Sequence, residues 1–128
     1  MANLYFNGQL IATSTITGIL NPALIDTDIA ITYKTDDKKY YSILMFDDTL
    51  IHSLMINIKG HDLTTGDILV DYIPYSVKNK NYDATVYIYE QPKKLKIPPD
   101  DFDMDEFIKN HSLNLLYKIE FLVLKNNK

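Results

Sequence analysis

Four groups of side chains in this sequence have the types and spacing that chemistry requires. The densest runs from Asp100 to Glu106, DDFDMDE, where five of seven successive residues are acidic. Asp101, Asp103 and Asp105 have the alternate spacing of a calcium loop. The sixth position, however, is Glu106 where such a loop needs a glycine, and the twelfth is Ser112 where it needs a bidentate glutamate. A metal is therefore not expected. Asp103 and Glu106 fit the D-x-x-E pattern in which the first residue caps a helix and acids in the first turn meet the positive end of its dipole. Phe102, Met104 and Phe107 interleave with the carboxylates, giving apolar anchors ringed by charge, a composition suited to steering and docking a basic partner. The partner-binding set read from the sequence is Asp100, Asp101, Phe102, Asp103, Met104, Asp105 and Phe107. Within it, Asp100 and Asp101 follow the stiff Pro98-Pro99 and are not explained by capping.

The second group joins lysine to tyrosine. Lys78, Lys80, Lys93, Lys94 and Lys96 lie near Tyr75, Tyr82, Tyr87 and Tyr89, and such a mixture on a sheet can hold a nucleotide or a single strand by charge and stacking. The plainer account is a pair of solvated loops whose lysines guard a sheet edge. The third group, His61-Asp62 with Asp67 and Asp71, outlines a base with an orienting carboxylate, but it sits in a glycine-bounded turn where these residues commonly serve local hydrogen bonds. In the fourth, His52 and His111 read as structural, and the three histidines lack metal-ligand spacing. There is no cysteine, no G-x-S-x-G, no S-x-x-K and no glycine-rich phosphate loop. Catalytic residues, metals and cofactors are accordingly expected to be none, and an enzyme is the minority reading.

The elements that must carry these groups are mainly strands. At 128 residues, with ten tyrosines and five phenylalanines, the chain suits one β-rich domain over residues 1–128. Asn7-Gly8 between apolar runs predicts a two-residue hairpin across Asn3–Ser14. Residues 15–27, interrupted by Gly18 and Pro22, predict a loop with a helical turn after Pro22. Alternation then predicts strands over Asp28–Lys34 and Lys39–Phe46, paired as a second hairpin, and further strands at Leu54–Lys59, Ile68–Ile73 and Ala84–Glu90. A short helix is expected near residues 103–111. Ser112–Lys125 reads as a strand apolar on both faces, or as a continuation of that helix. Together these give a compact antiparallel β-sandwich or small barrel of about eight strands.

All thirteen basic residues are lysine and the net charge is −4, which argues against sequence-specific DNA binding, where arginine is the usual reader. The N-terminus lacks a signal-peptide pattern, and no apolar run approaches the ~20 residues of a membrane span. A soluble protein is expected, with no membrane partner, cytoplasmic or virion-associated if it comes from a virus or mobile element. The leading functional reading is a small noncatalytic protein-binding module of inhibitor or immunity type that meets another protein's basic surface. A self-associating homo-oligomeric subunit, for instance of a virion, and a small-molecule or nucleotide-sequestering protein are the alternatives.

Overall fold

A computed structural model describes residues 1–47, 50–99 and 101–125. Among the described residues nine strands form two sheets: β1 (Asn3–Phe6), β2 (Gln9–Thr13) and β4 (Ile29–Thr32) in the order β2-β1-β4, and a larger sheet in the order β3-β9-β8-β5-β6-β7. The larger sheet contains β3 (Gly18–Leu20), β5 (Tyr40–Asp47), β6 (Ile51–Lys59), β7 (Asp67–Val70), β8 (Tyr82–Gln91) and β9 (Asn114–Val123). One helix, α1 (Met104–Asn110), packs on it.

The small sheet lies over one face of the large one, and Leu4, Phe6, Ile43, Ile88, Ile119 and Phe121 are among the residues that fill the space between them. A second core on the opposite face joins Leu44, Leu54, Ile56 and Tyr89 to Phe107 of α1. Alternation along β5 divides its side chains between these two cores, which is why both faces of that strand are apolar. The expected hairpin at Asn7-Gly8 forms, with φ of 51° and 73° at the two turn residues. Asp103 caps α1 as its spacing predicts, its carboxylate accepting from the Glu106 amide at 3.1 Å.

Other expectations are corrected. Neither sheet closes into a barrel, and β3 pairs parallel to β9, so the fold is not purely antiparallel. β4 does not return as a hairpin with β5. It pairs with β1 in the small sheet, while β5 lies between β6 and β8. The seven residues from Tyr33 to Lys39 are long enough to change sheets, and two tyrosine contacts pin the crossing. Tyr33 donates to the Gly60 carbonyl at 3.2 Å, and the Asp36 amide donates to the Tyr41 hydroxyl at 2.9 Å. β3 lies where a loop was expected. It depends on Gly18, since a side-chain carbon there would overlap the Ile11 carbonyl. β9 is a strand, as one of the two readings had it, but it buries one face only: Ile119, Phe121 and Val123 are inside, whereas Lys118 and Glu120 are exposed and paired at 3.0 Å.

Candidate functional site

Two β-bulges in β6 set the polar interior. In the first, Ser42 of β5 faces both Ile56 and Asn57, and Asn57 takes φ 59°, a conformation asparagine tolerates better than most residues. The Asn57 side chain donates to Asp67 at 2.9 Å and to the Leu95 carbonyl at 2.8 Å, and it accepts from the Leu95 amide and from Gln91. Gln91 in turn accepts from Ser42 and the Asn57 amide and donates to the Lys93 carbonyl. This network satisfies its buried amides and holds the loop after β8 by its backbone, so its role is architectural.

In the second bulge His52 is the extra residue, because Met45 faces Ser53 and Phe46 faces Ile51 with no partner between them. The extra residue turns His52 into the space between the sheets, where it is 2% exposed. Asp47 ends the neighbouring strand, and the turn between them is closed by the Asp47 amide to the Leu50 carbonyl and by the Leu50 amide to the Asp47 carboxylate, each at 3.0 Å. Asp47 Oδ2 then lies 2.6 Å from His52 Nε2. The other ring nitrogen, Nδ1, is 2.5 Å from the Ile73 carbonyl, while the Ile73 amide donates to the His52 carbonyl at 2.7 Å. His52 thus clamps the segment after β7, and two residues on, Tyr75 stacks on its ring at 3.9 Å and meets Phe121 edge-on at 5.4 Å.

The protons follow from these partners. A carbonyl only accepts, so Nδ1 carries hydrogen, and Nε2 faces the Asp47 carboxylate. Both ring nitrogens are thus engaged in the ligand-free protein, which fits a positioning role for the pair. Tyr75 is different. Its hydroxyl is buried and has no hydrogen-bond partner among the described residues. Burial pushes its phenol up, with Tyr72, Asp47 and Tyr82 adding to the effect, and burial followed by Asp47 does the same for Tyr82. Both hydroxyls therefore stay protonated at neutral pH, each with a hydrogen to donate. Tyr82 donates to the Ser76 carbonyl at 2.7 Å, and Lys78 Nζ sits 4.2 Å from the centre of its ring.

The residues singled out in the sequence are distributed differently. Asp101, Asp103 and Asp105 are exposed, but Phe107 is buried in the chain's own core, with Phe102 and Met104 half-buried against it; Asp100 lies outside the described residues. The lysine–tyrosine set divides into three. Lys78 and Tyr82 stand at one end of β8, with Lys80 exposed in the preceding loop. Lys93 and Lys94, past the other end of the strand, border a groove of about 570 Å³ with His111. Nine residue steps of strand separate Tyr82 from Gln91, ~30 Å, which is too far for one small ligand. Tyr87 and Tyr89 stack together beside α1 and line a groove of about 440 Å³ with Met104 and Ile108. His61 and Asp71 are exposed, Asp62 caps a short turn through the Thr64 amide, and Asp67 bonds Asn57, so these four residues form no site. Among the described residues no three histidines, cysteines or acids gather to hold a metal ion, and no helix is long and apolar enough to cross a membrane.

Sequence reasoning missed the Asp47–His52–Tyr75 cluster. The available signal was Asp47 and His52 on either side of a short polar break between two apolar runs, which a hairpin must bring together. Tyr75 entered only the lysine–tyrosine group, in a stretch that reads as a solvated loop, and nothing in the sequence tied it to His52.

No protein-family model matches the chain, and no curated protein matches it in sequence. Solved structures do match. The carboxypeptidase Y inhibitor, in complex with its cognate proteinase, superposes with a TM-score of 0.70 at 13% identity over 98% of this chain and 83% of that one. The phosphatidylethanolamine-binding protein of Plasmodium vivax gives 0.66 at 11% identity, covering 98% and 86% of the two chains. That of Plasmodium falciparum gives 0.64 at 11% identity, covering 96% and 85%. At these identities the likeness is one of fold, and the fold is the one these three proteins share.

Proposed function

We propose that this chain is a noncatalytic binding protein that takes the polar head of a small ligand, of phosphate type, at the Asp47–His52–Tyr75 cluster. The carrying observation is the Tyr75 hydroxyl, a buried donor with no partner among the described residues. A buried donor is costly to leave unmatched, and an acceptor oxygen on a ligand would recover that cost. Asp47 and His52 satisfy each other and fix the ring beneath Tyr75, and Lys78 adds positive charge beside Tyr82. Proteins of this fold include phosphatidylethanolamine-binding proteins, which supports a phosphorylated headgroup as the first ligand to try. Isothermal titration with O-phosphorylethanolamine tests this: saturable binding that falls about tenfold in Tyr75→Phe is expected, the loss of one hydrogen bond of ~1.4 kcal/mol. Binding of equal strength in the variant would remove Tyr75 from the site.

A second reading has its own support. Asp101, Asp105 and Glu106 stand exposed on and beside α1, and the fold is also that of a proteinase inhibitor. In this reading the acidic segment meets a basic surface of a protein partner. Phe107 contributes by anchoring the helix and Phe102 by lying half-exposed at its edge. Affinity capture from the native host with wild type and Asp101→Asn/Asp105→Asn tests it, and a basic partner retained equally by both would rule out the acidic face.

A further inference from the structure

Three strands cannot cover six, and the uncovered part of the large sheet holds a cavity. β4 is an outer strand of the small sheet, and next to it opens a pocket of about 370 Å³, within the range of small-molecule sites. Ile29 and Ile31 of β4 form one wall, and Ile43, Met45 and Met55 of the large sheet form the other. Ser53 stands on the floor, 9% exposed, at an inward position where neighbouring strands carry large apolar side chains. The two methionines are unbranched and adaptable, so the wall can fit differently shaped guests. Thr27, Ser53 and Tyr72 are the uncharged polar residues of the lining, and among the described residues its charges are those of Asp26 and Asp28, both exposed.

We propose that this pocket binds a small apolar amine, with its hydrocarbon part between β4 and the Met45–Met55 wall and its ammonium group at Asp26 and Asp28. The site shares no residue with the Tyr75 cluster, although Tyr72 of its lining lies against Tyr75, and it does not depend on the reading of that cluster. The apolar walls exclude a fully polar guest, because desolvating one there returns nothing. The two carboxylates select the sign of charge. A carboxylate-bearing guest of the same length is repelled, and an alcohol gains neither attraction nor repulsion.

The four methionines provide the assay, since Met45 and Met55 line the pocket while Met104 sits on α1 and Met1 is exposed. The full chain with ¹³C-methyl-labelled methionine is titrated with hexylamine, hexan-1-ol and hexanoate. Hexylamine is expected to shift the Met45 and Met55 methyls saturably, with Met1 and Met104 unmoved, and to bind about three- to tenfold more tightly than hexanoate, the size expected for two exposed charges. In Asp26→Asn/Asp28→Asn, hexylamine should fall to the affinity of hexanol. Ser53→Leu, which fills the floor, should abolish all three shifts. Should that variant fail to fold, the wild-type titration alone still decides. Absence of saturable shifts at Met45 and Met55 overturns the proposal, as does hexanoate binding as tightly as hexylamine. Tyr75→Phe should leave the hexylamine shifts unchanged, which separates failure of this site from failure of the other.

Discussion

Removing the Tyr75 hydroxyl should stabilise the ligand-free protein. Tyr75→Phe deletes one oxygen from a ring that keeps its stacking on His52 and its edge contact with Phe121. No hydrogen bond among the described residues is lost, because the hydroxyl makes none. The gain is the desolvation cost of an unmatched buried group, about 1–3 kcal/mol. Against it stands the small void left by the oxygen, ~0.5 kcal/mol for a volume of roughly 20 Å³. The net is about 0.5–2.5 kcal/mol in favour of phenylalanine, which for a chain of this length corresponds to a rise in Tm of roughly 2–10 °C. Urea unfolding followed by circular dichroism should show a higher midpoint at an unchanged slope, since neither state changes its compactness. A loss of 1 kcal/mol or more would refute the reasoning, because it would mean that the hydroxyl is already bonded in the ligand-free protein. The expected result pairs greater stability with weaker ligand binding, the pattern of a position held for function at a cost to the fold.

Three further outcomes follow from the architecture. Gly18→Ala places a methyl group onto the Ile11 carbonyl and Ala12, so it should cost about 3 kcal/mol or more and selectively remove hydrogen-exchange protection where β3 pairs with β9. Asn57→Ala strands Gln91 and the Leu95 amide and puts alanine at φ 59°; a loss of about 3–5 kcal/mol in urea unfolding is expected, of which Asn57→Gly should recover only ~1 kcal/mol through the backbone. Tyr33, Tyr72, Tyr75, Tyr82 and Tyr89 all have phenols held above the ordinary value, first by burial, with Tyr72 at about 12. Folded protein therefore keeps protons that the unfolded chain releases from about pH 10, and stability should fall as pH rises through 10 towards 12. Ultraviolet titration of tyrosinate should show these five resisting ionisation until the circular dichroism signal of the fold is lost, and full ionisation of the folded protein at pH 10.5 would contradict it.

The elements were more legible than their partners. Alternation in Tyr41-Ile43-Met45 and Val86-Ile88 marks strands because each side chain has a face to fill, and Asn7-Gly8 marks a turn because of the φ values it must take. Partner choice leaves no such mark. Residues 33–39 look the same whether the chain folds back on itself or crosses to another sheet, and what decides is Tyr33 reaching Gly60, 27 residues on. β3 is invisible for a related reason: three residues beside β9 gain their stability from the strand they meet. The acidic segment was half legible. Its capping by Asp103 is local and was read correctly, whereas the inward turn of Phe107 depends on a core formed by distant strands. The Asp47–His52 pair could be inferred from a hairpin, but Tyr75 arrives from a loop more than twenty residues away.

The two readings of function occupy opposite faces of the large sheet, and this makes them separable. His52, Tyr75 and Phe121 lie on the side covered by β1, β2 and β4, whereas α1 and its acidic residues cover the other side through Phe107, Leu44 and Leu54. No side chain belongs to both, so substitutions in one should add to those in the other without coupling. Asp101→Asn/Asp105→Asn should leave O-phosphorylethanolamine binding unchanged, and Tyr75→Phe should leave retention of a basic partner unchanged. A cross-effect in either direction could pass through β5, β6 or β8, each of which sends side chains into both cores: in β5, Ile43 and Met45 on one side and Leu44 on the other. Leu44→Ala would then alter ligand affinity at the Tyr75 cluster without touching it. If ligand affinity stays the same in Leu44→Ala while stability falls by about 2–4 kcal/mol, β5 does not couple the two faces.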